Sequence, residues 1–284
     1  MNKIVDLHCH TTCSDGSDSP RELVRKAKAL GLAAVATTDH DTFDAHSEAI
    51  AAGAEFGIEV VPGVELSSVH MGKHIHLLAY YCDTKNKALS DLMERAVNER
   101  VTRNRAMVQR LHDAGYPVDW ETVSARYPGQ VMIGRPHVAQ LLMDRGVIKS
   151  VREGVENLMG KGGPFYVERY HVPLTDYVRA VRDAGGVPVI AHLFQYRLPD
   201  DQLRQMIRDA ADAGLMGLEA MYSTYSPEQQ DLVFDLTREF RLIATGGSDY
   251  HGTSKPHICL GTGTGTLAVP YELLEGLKAT AQRL

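Results

Sequence analysis

Two histidines one residue apart, His8 and His10 in VDLHCHTTCSDGS, are the first residues of this chain that can do chemistry, and Asp15 follows them closely. Residues i and i+2 of a strand project from one face, which is how two imidazoles reach a single metal ion. Asp249 and His251 in GSDYH repeat the device. Between these two pairs lie His40 in TTDHD, Glu65 in PGVELSS, His76 in HIHLLAYY and His192 in IAHL, each at or near the end of an apolar run. A lone His-x-His says little, but recurrence at one strand end after another points to a metal centre. The candidate set of six imidazoles and three carboxylates exceeds what one tetrahedral or octahedral ion accepts, so two or three divalent ions are expected. Glu65 can bridge ions through its two oxygens. The imidazole-rich set suits manganese first, with iron or zinc as alternatives and oxygen-seeking magnesium less suited.

Other polar residues carry less signal. His74 shares a strand face with His76 and reads as a bystander or a supporting group. His46, His70, His112, His171 and His257 have no partner pattern and read as surface or satisfied side chains. Asp6 lies two residues before His8 and reads as structural, and Asp18 has no assigned role. Cys9, Cys13, Cys82 and Cys259 form no C-x-x-C pair, so they read as reduced and mostly buried.

The elements that must position these groups follow from periodicity. β-branched and apolar runs recur at 3–11, 33–41, 59–68, 74–82, 187–193, 217–221 and 242–251. Helical patterns separate most of them. SPRELVRKAKALG and TDYVRAVRDAGG each offer an N-cap and end in glycine. This alternation predicts an α/β fold with parallel strands, and seven strands favour a barrel whose carboxyl ends carry the active-site face. Residues 84–172 read differently. Leu89, Leu92, Met93, Ala96, Val97, Val101, Met107, Val108 and Leu111 form one helical stripe, and RPHVAQLLMDRG and VREGVENLMG continue as helices. The expectation is a barrel of residues 1–83 and 173–284 with a helical insertion, 84–172, over its mouth.

Composition excludes some classes. With 44% hydrophobic and 23% charged residues in 284, the chain can bury a sizeable core, and a net charge of -6 disfavours coating nucleic acid by bulk electrostatics. No 18-residue apolar run and no signal-peptide h-region are present, so the cytoplasm is expected, with no membrane and no protein partner inferred.

The ordered series HCHTTCSDGS, TTDHD, PGVELSS, IHLLAYY, IAHL and GGSDYHG resembles the PHP (polymerase and histidinol phosphatase) family of the amidohydrolase superfamily, along almost the whole chain. The resemblance implies a distorted (β/α)7 barrel. It also implies that His8, His10 and Asp249 hold one ion, that Glu65 bridges it to a second held with His76 and His192, and that Asp15, His40 and His251 hold a third. One departure stands out: Leu193 follows His192 where the family usually has proline. The insertion segment 134–170 and GLEAMYSTYSPEQ resemble a stand-alone branch of the family. That branch removes the 3′-phosphate of nucleoside 3′,5′-bisphosphates and trims short RNA from its 5′ end. The implied chemistry is in-line attack by a metal-bound hydroxide, available because metal binding lowers the pKa of water to about 7. No side chain is assigned as nucleophile, and no G-x-S-x-G elbow is present. Arg135, Lys161 and His137 are the expected contacts to the 5′-phosphate, since a guanidinium grips phosphate in two places. Tyr222 and Tyr225 are candidates to stack on a base. A histidinol-phosphate-type phosphatase on the same barrel is the rival enzyme, and a catalytically inactive nucleotide-binding module is the rival of a different class.

Overall fold

The first apolar run becomes β1 (Ile4–Asp6). After it come α1 (Pro20–Ala29), β2 (Ala34–Thr37), α2 (His46–Phe56), β3 (Glu59–His70), β4 (Lys73–Tyr80), α3 (Lys87–Asp113), α4 (Trp120–Arg126), α5 (Arg135–Asp144) and α6 (Val151–Glu153). The chain continues through β5 (Val172–Pro173), α7 (Leu174–Asp183), β6 (Val187–Ile190), α8 (Asp200–Asp212), β7 (Gly217–Tyr222), α9 (Pro227–Phe240), β8 (Ile243–Gly247), β9 (Val269–Pro270) and α10 (Tyr271–Ala281). This computed structural model describes residues 3–127, 133–168 and 170–284. It divides into two compact units, Met1–Met93 with His171–Leu284, and Glu94–Tyr170.

The first unit is built on one sheet in the order β8-β7-β6-β4-β3-β2-β1-β9, with β5 beside β3. The two ends of that path nearly meet beyond β1. Leu7 donates its N–H to Gly246, His10 to Tyr250, and Asp249 donates back to His8, at 3.2, 2.8 and 2.8 Å. The sheet is therefore an almost closed barrel in an α/β fold. Val5, Leu7, Ala36, Val61, Leu78, Val187 and Val189 share one fully buried apolar core.

Not every strand is parallel. β4 runs antiparallel to both β3 and β6. The cause is local: Met71 and Gly72 both take left-handed backbone (φ 48 and 72°), the geometry of a two-residue hairpin turn. His76 therefore does not end a parallel strand. It sits mid-strand, opposite Ser67 and diagonal to Glu65, and a reversed strand still delivers it to the face that holds Glu65.

Helix starts were partly legible. Ser19 caps α1, its hydroxyl accepting the Glu22 N–H. α7 begins at Leu174 behind Pro173, so Thr175 lies inside its first turn and caps nothing. The cysteines correct the expectation of general burial: all four are free, but only Cys9 is buried and Cys259 is exposed. No helix among the described residues is long and apolar enough to cross a membrane.

The second unit has its own core, with Met107, Val108 and Leu111 of α3 packed with Val123, Val138, Leu142 and Met159. Among its described residues it is helical, without strands.

The seam between β8 and β1 requires glycine at 247. A Cβ there would lie 2.4 Å from both the nitrogen and the Cβ of His8. Gly247→Ala is expected to destabilise the protein by about 1–3 kcal/mol, the range for overpacking a close-packed interior, read as a lower urea midpoint. An unchanged midpoint would mean that the seam opens without cost.

Candidate metal centre

Every residue expected to ligate metal lies in the first unit, in one cluster around Glu65. The carboxylate of Glu65 is 1% exposed, and its two oxygens face different imidazoles. Oε1 lies 2.9 Å from His76 Nδ1 and 2.9 Å from His192 Nε2. Oε2 lies 3.4 Å from His8 Nε2, 3.2 Å from His10 Nε2 and 3.2 Å from His40 Nδ1. Asp249 Oδ1 lies 3.3 Å from His10 Nε2 and 3.4 Å from His251 Nδ1. Asp15, half-exposed, reaches His251 Nε2 at 3.2 Å and His40 Nε2 at 3.9 Å.

Backbone geometry at the strand ends aims these groups. The extended chain past β1 turns His8 and His10 to one side, with ring centroids 5.3 Å apart, while Cys9 packs into the core behind them. After β6 and β8 the chain bends through left-handed residues, His192 at φ 26° and Asp249 at φ 60°. Such backbone in non-glycine residues is strained and clusters at functional sites. At His192 the bend leads into a 3-10 turn, Leu193–Tyr196, so the residue after the histidine follows a sharp turn without proline.

Three overlapping groups of ligand atoms each fall within 4.8 Å: His8, His10, Glu65 and Asp249; His10, Asp15, His40 and His251; and His40, Glu65 and His76. An ion with ligands at about 2.1 Å separates opposite donors by about 4.2 Å, so each group has the span of one coordination sphere. His10, His40 and Glu65 each belong to two groups. His192 belongs to none of the three and meets the cluster through Glu65.

The residues fit divalent metal on a second count. The buried nitrogens His8 Nε2, His10 Nε2, His40 Nδ1 and His251 Nε2 have no hydrogen-bond partner. Buried polar nitrogens are seldom left that way. They face carboxylate oxygens at 3.2–3.4 Å, the spacing of donors arranged around a shared cation.

Electrostatics points the same way. Burial would raise the carboxyl pKa of Glu65, but the charges of His76, His40 and His8 hold it well below the ordinary range. Burial alone would lower His10, yet the neighbouring carboxylates of Asp249 and Glu65 carry it up to about 9. Burial and the neighbouring His10 charge push His40 down to about 3. Glu65, Asp15 and Asp249 are thus held ionised.

Several supporting residues escaped the sequence reading. Glu219, fully buried on β7, accepts from His8 Nδ1 at 2.9 Å and from the His192 backbone N–H at 2.8 Å. A carboxylate there keeps the His8 proton on Nδ1 and turns the Nε2 lone pair to the cluster. The Asp249 carbonyl oxygen accepts from His251 Nδ1 at 2.8 Å and does the same for that ring. Asp39 accepts from the Thr11 backbone and hydroxyl and from Ser14, and so sets the loop that carries Asp15. Tyr222 donates to Asp249 Oδ2 at 2.8 Å and Lys255 approaches the same oxygen at 2.9 Å, which leaves Oδ1 for the histidines. Asp6 accepts from Ser248 and Gly261 and is structural. Asp18 accepts from Lys26 and Tyr250, and His74 stacks edge-on against His171, away from the cluster.

Glu219→Gln is expected to weaken metal affinity about 10–100-fold, the usual cost of losing a hydrogen-bond partner behind a ligand. Competition against a chromophoric chelator measures it. Wild-type affinity would remove Glu219 from the support of the site.

In the second unit Arg135 is half-buried at the start of α5, its guanidinium 3.4 Å from the Met159 carbonyl. His137 Nδ1 accepts the Gly134 N–H at 2.9 Å and so caps its own helix. Lys161 is exposed in the turn that follows. Burial and the charges of Arg135 and Arg100 lower the pKa of Arg103, one of the cations of α3, to about 10. Its only side-chain hydrogen bond among the described residues goes to the Met107 sulfur.

Residues 6–215 match the PHP domain family. The chain is 31% identical to a 5′-3′ exoribonuclease of Haemophilus influenzae over 251 residues, 88% of this chain and 91% of that protein. It is 32% identical to a 3′,5′-nucleoside bisphosphate phosphatase of Chromobacterium violaceum over 248 residues, 87% of each. A solved structure from Bifidobacterium adolescentis, described as a metal-dependent phosphoesterase, superposes with a TM-score of 0.80 at 32% identity, covering 98% of this chain and 96% of that one.

Proposed function

This chain belongs to the PHP domain family and is a metal-dependent phosphoesterase; we propose that its substrates are nucleoside 3′,5′-bisphosphates, from which it removes the 3′-phosphate, and short 5′-phosphorylated RNA. The observation that carries the metal chemistry is Glu65, whose two oxygens face separate sets of imidazoles. The substrate reading rests on the relatives' activities and on the guanidiniums of Arg103 and Arg135.

His8, His10, Glu65 and Asp249 would hold one divalent ion, Glu65 with His76, His192 and His40 a second, and Asp15, His40 and His251 with His10 a third. Manganese, iron or zinc would suit this mixed imidazole and carboxylate set better than magnesium. Bound there, the ions would neutralise charge on phosphoryl oxygens and bring the pKa of a water to about 7. The chain's own part is to keep those donors fixed: Glu219 and the Asp249 carbonyl set the two ring tautomers, and Tyr222 and Lys255 hold Asp249 on one oxygen. In the reaction the water oxygen bonds to phosphorus and the P–O3′ bond breaks. The water proton ends on O3′, leaving phosphate and a nucleoside 5′-monophosphate. The helical insertion contributes the second recognition element, with Arg135, Arg103 and Lys161 gripping the 5′-phosphate. His137 positions Arg135 by closing the first turn of α5. Four free cysteines suit a reducing cytoplasm.

The test is phosphate release from adenosine 3′,5′-bisphosphate with Mn²⁺, beside adenosine 3′-monophosphate and a short 5′-phosphorylated RNA. Charge-assisted bonds to the second phosphate are expected to favour the bisphosphate over the monophosphate by about 10²-fold in kcat/KM, about 2.7 kcal/mol. Equal turnover of both would sink the 5′-phosphate clamp.

A further inference from the structure

A pocket of about 350 Å³ in the first unit is lined by Phe194, Gln195, Arg197, Thr224, Tyr225 and Gln229. It lies one side chain from the metal cluster. The Gln195 amide donates to the Tyr222 hydroxyl, and Tyr222 donates in turn to Asp249. The volume is at the lower end of the roughly 300–1,000 Å³ typical of small-molecule sites.

Its chemistry is that of a nucleotide receptor. Phe194 and Tyr225 meet edge-to-face with centroids 5.0 Å apart and supply aromatic surface for a base. Gln229 spends its carbonyl on the Ser226 N–H and so keeps its amide hydrogens for a ligand, while Gln195 spends its amide and keeps its carbonyl. Arg197 adds a guanidinium. No acidic residue lines the pocket, and among the described residues Arg197 has no carboxylate partner. Arg197 closes the 3-10 turn at φ 51°, a left-handed position that glycine would fill freely.

We propose that this pocket binds the second nucleotide of an RNA substrate, with Arg197 on that nucleotide's far phosphate and Phe194 and Tyr225 against its base. The inference rests on the phosphoesterase reading above and adds a subsite to it. Breaking the P–O3′ bond of the terminal nucleoside leaves the scissile phosphate on the downstream strand. That strand must therefore leave the metal cluster on a different side from the 5′-phosphate. A bisphosphate has no downstream nucleoside and does not reach the pocket.

Arg197→Gly tests this without strain, because glycine is at ease at φ 51°. Wild type and variant are compared on adenosine 3′,5′-bisphosphate and a 5′-phosphorylated trinucleotide with Mn²⁺, and for binding of a non-hydrolysable trinucleotide by fluorescence anisotropy. The expected result is a fall of tenfold or more in the ratio of kcat/KM for RNA over bisphosphate, a matching rise in trinucleotide Kd, and rescue by Arg197→Lys of part of the loss. An unchanged ratio, or equal losses on both substrates, overturns the subsite. If the wild type cleaves neither substrate, the function proposed above fails, and the binding comparison alone decides the pocket.

Discussion

Replacing Glu65 by glutamine is expected to lower kcat/KM for any phosphoester substrate by at least about 10³-fold, about 4 kcal/mol of lost transition-state stabilisation. The size follows from the position. Both carboxylate oxygens face imidazoles, two across Oε1 and three across Oε2. An amide has one acceptor oxygen and turns two N–H donors toward nitrogens that must offer lone pairs. It also removes a full charge that keeps the cluster attractive to cations. Metal content by mass spectrometry should fall with activity, while the circular dichroism spectrum and the apolar core stay as they were. Activity within tenfold of wild type, with metal retained, would show that Glu65 does not join the ions.

Chelation is expected to lower the melting temperature, and the loss is expected to grow with pH between 6.5 and 9. A ligand at a hundred times its Kd stabilises the folded state by about 2.7 kcal/mol, or about 5–10 °C for a domain of this size. The pH dependence comes from the histidines. In the chelated protein His10 titrates at about 9 against 6.5 when unfolded. Its raised value stabilises the fold fully below 6.5, and the gain is lost as pH rises through 9. His40 works in the opposite window. Its value of about 3 means that the unfolded chain binds the extra proton between 3 and 6.5, so stability falls as pH drops through that range. The chelated protein should be most stable near pH 6.5. The metal-loaded protein should not share that maximum, because ligation requires neutral imidazole and strengthens as protons leave. Differential scanning calorimetry from pH 5 to 9, with and without chelator, measures the gap. A gap that shrinks above pH 6.5 would contradict this proton distribution.

Much of the candidate site was legible because ligands that share a strand face obey a period of two. His8 with His10 could be read from that spacing, whereas Asp249 and His251 lie past β8, Asp249 in left-handed backbone at φ 60°, and fall in different ligand groups. Glu65, His40 and His192 were legible as polar residues at the margins of apolar runs. Glu219 was not. A single glutamate inside GLEAMY carries no spacing signal, and its contacts to His8 and His192 exist only once β7 lies beside β6 and β8. Arg103 was read with the charges of a solvated helix face, and Arg197 was missed, for a related reason. One looks like a charge on a solvated helix face, and the other follows an apolar turn. Only their surroundings, other guanidiniums in one case and an aromatic pocket in the other, set them apart. The reversal of β4 was not legible either: the apolar runs 59–68 and 74–82 leave five residues between them, and only the structure shortens that gap to the Met71–Gly72 turn.

The sequence by itself determined the α/β class, the helical character of the insertion and the residue types of a metal centre, because period and donor chemistry are local properties. Tertiary structure decided which donors share an ion's span, which nitrogen of each imidazole faces inward and where the buried supporting carboxylate sits. Those depend on distances of a few ångströms between residues as far apart as His8 and Glu219, and only strand register and barrel closure set such distances.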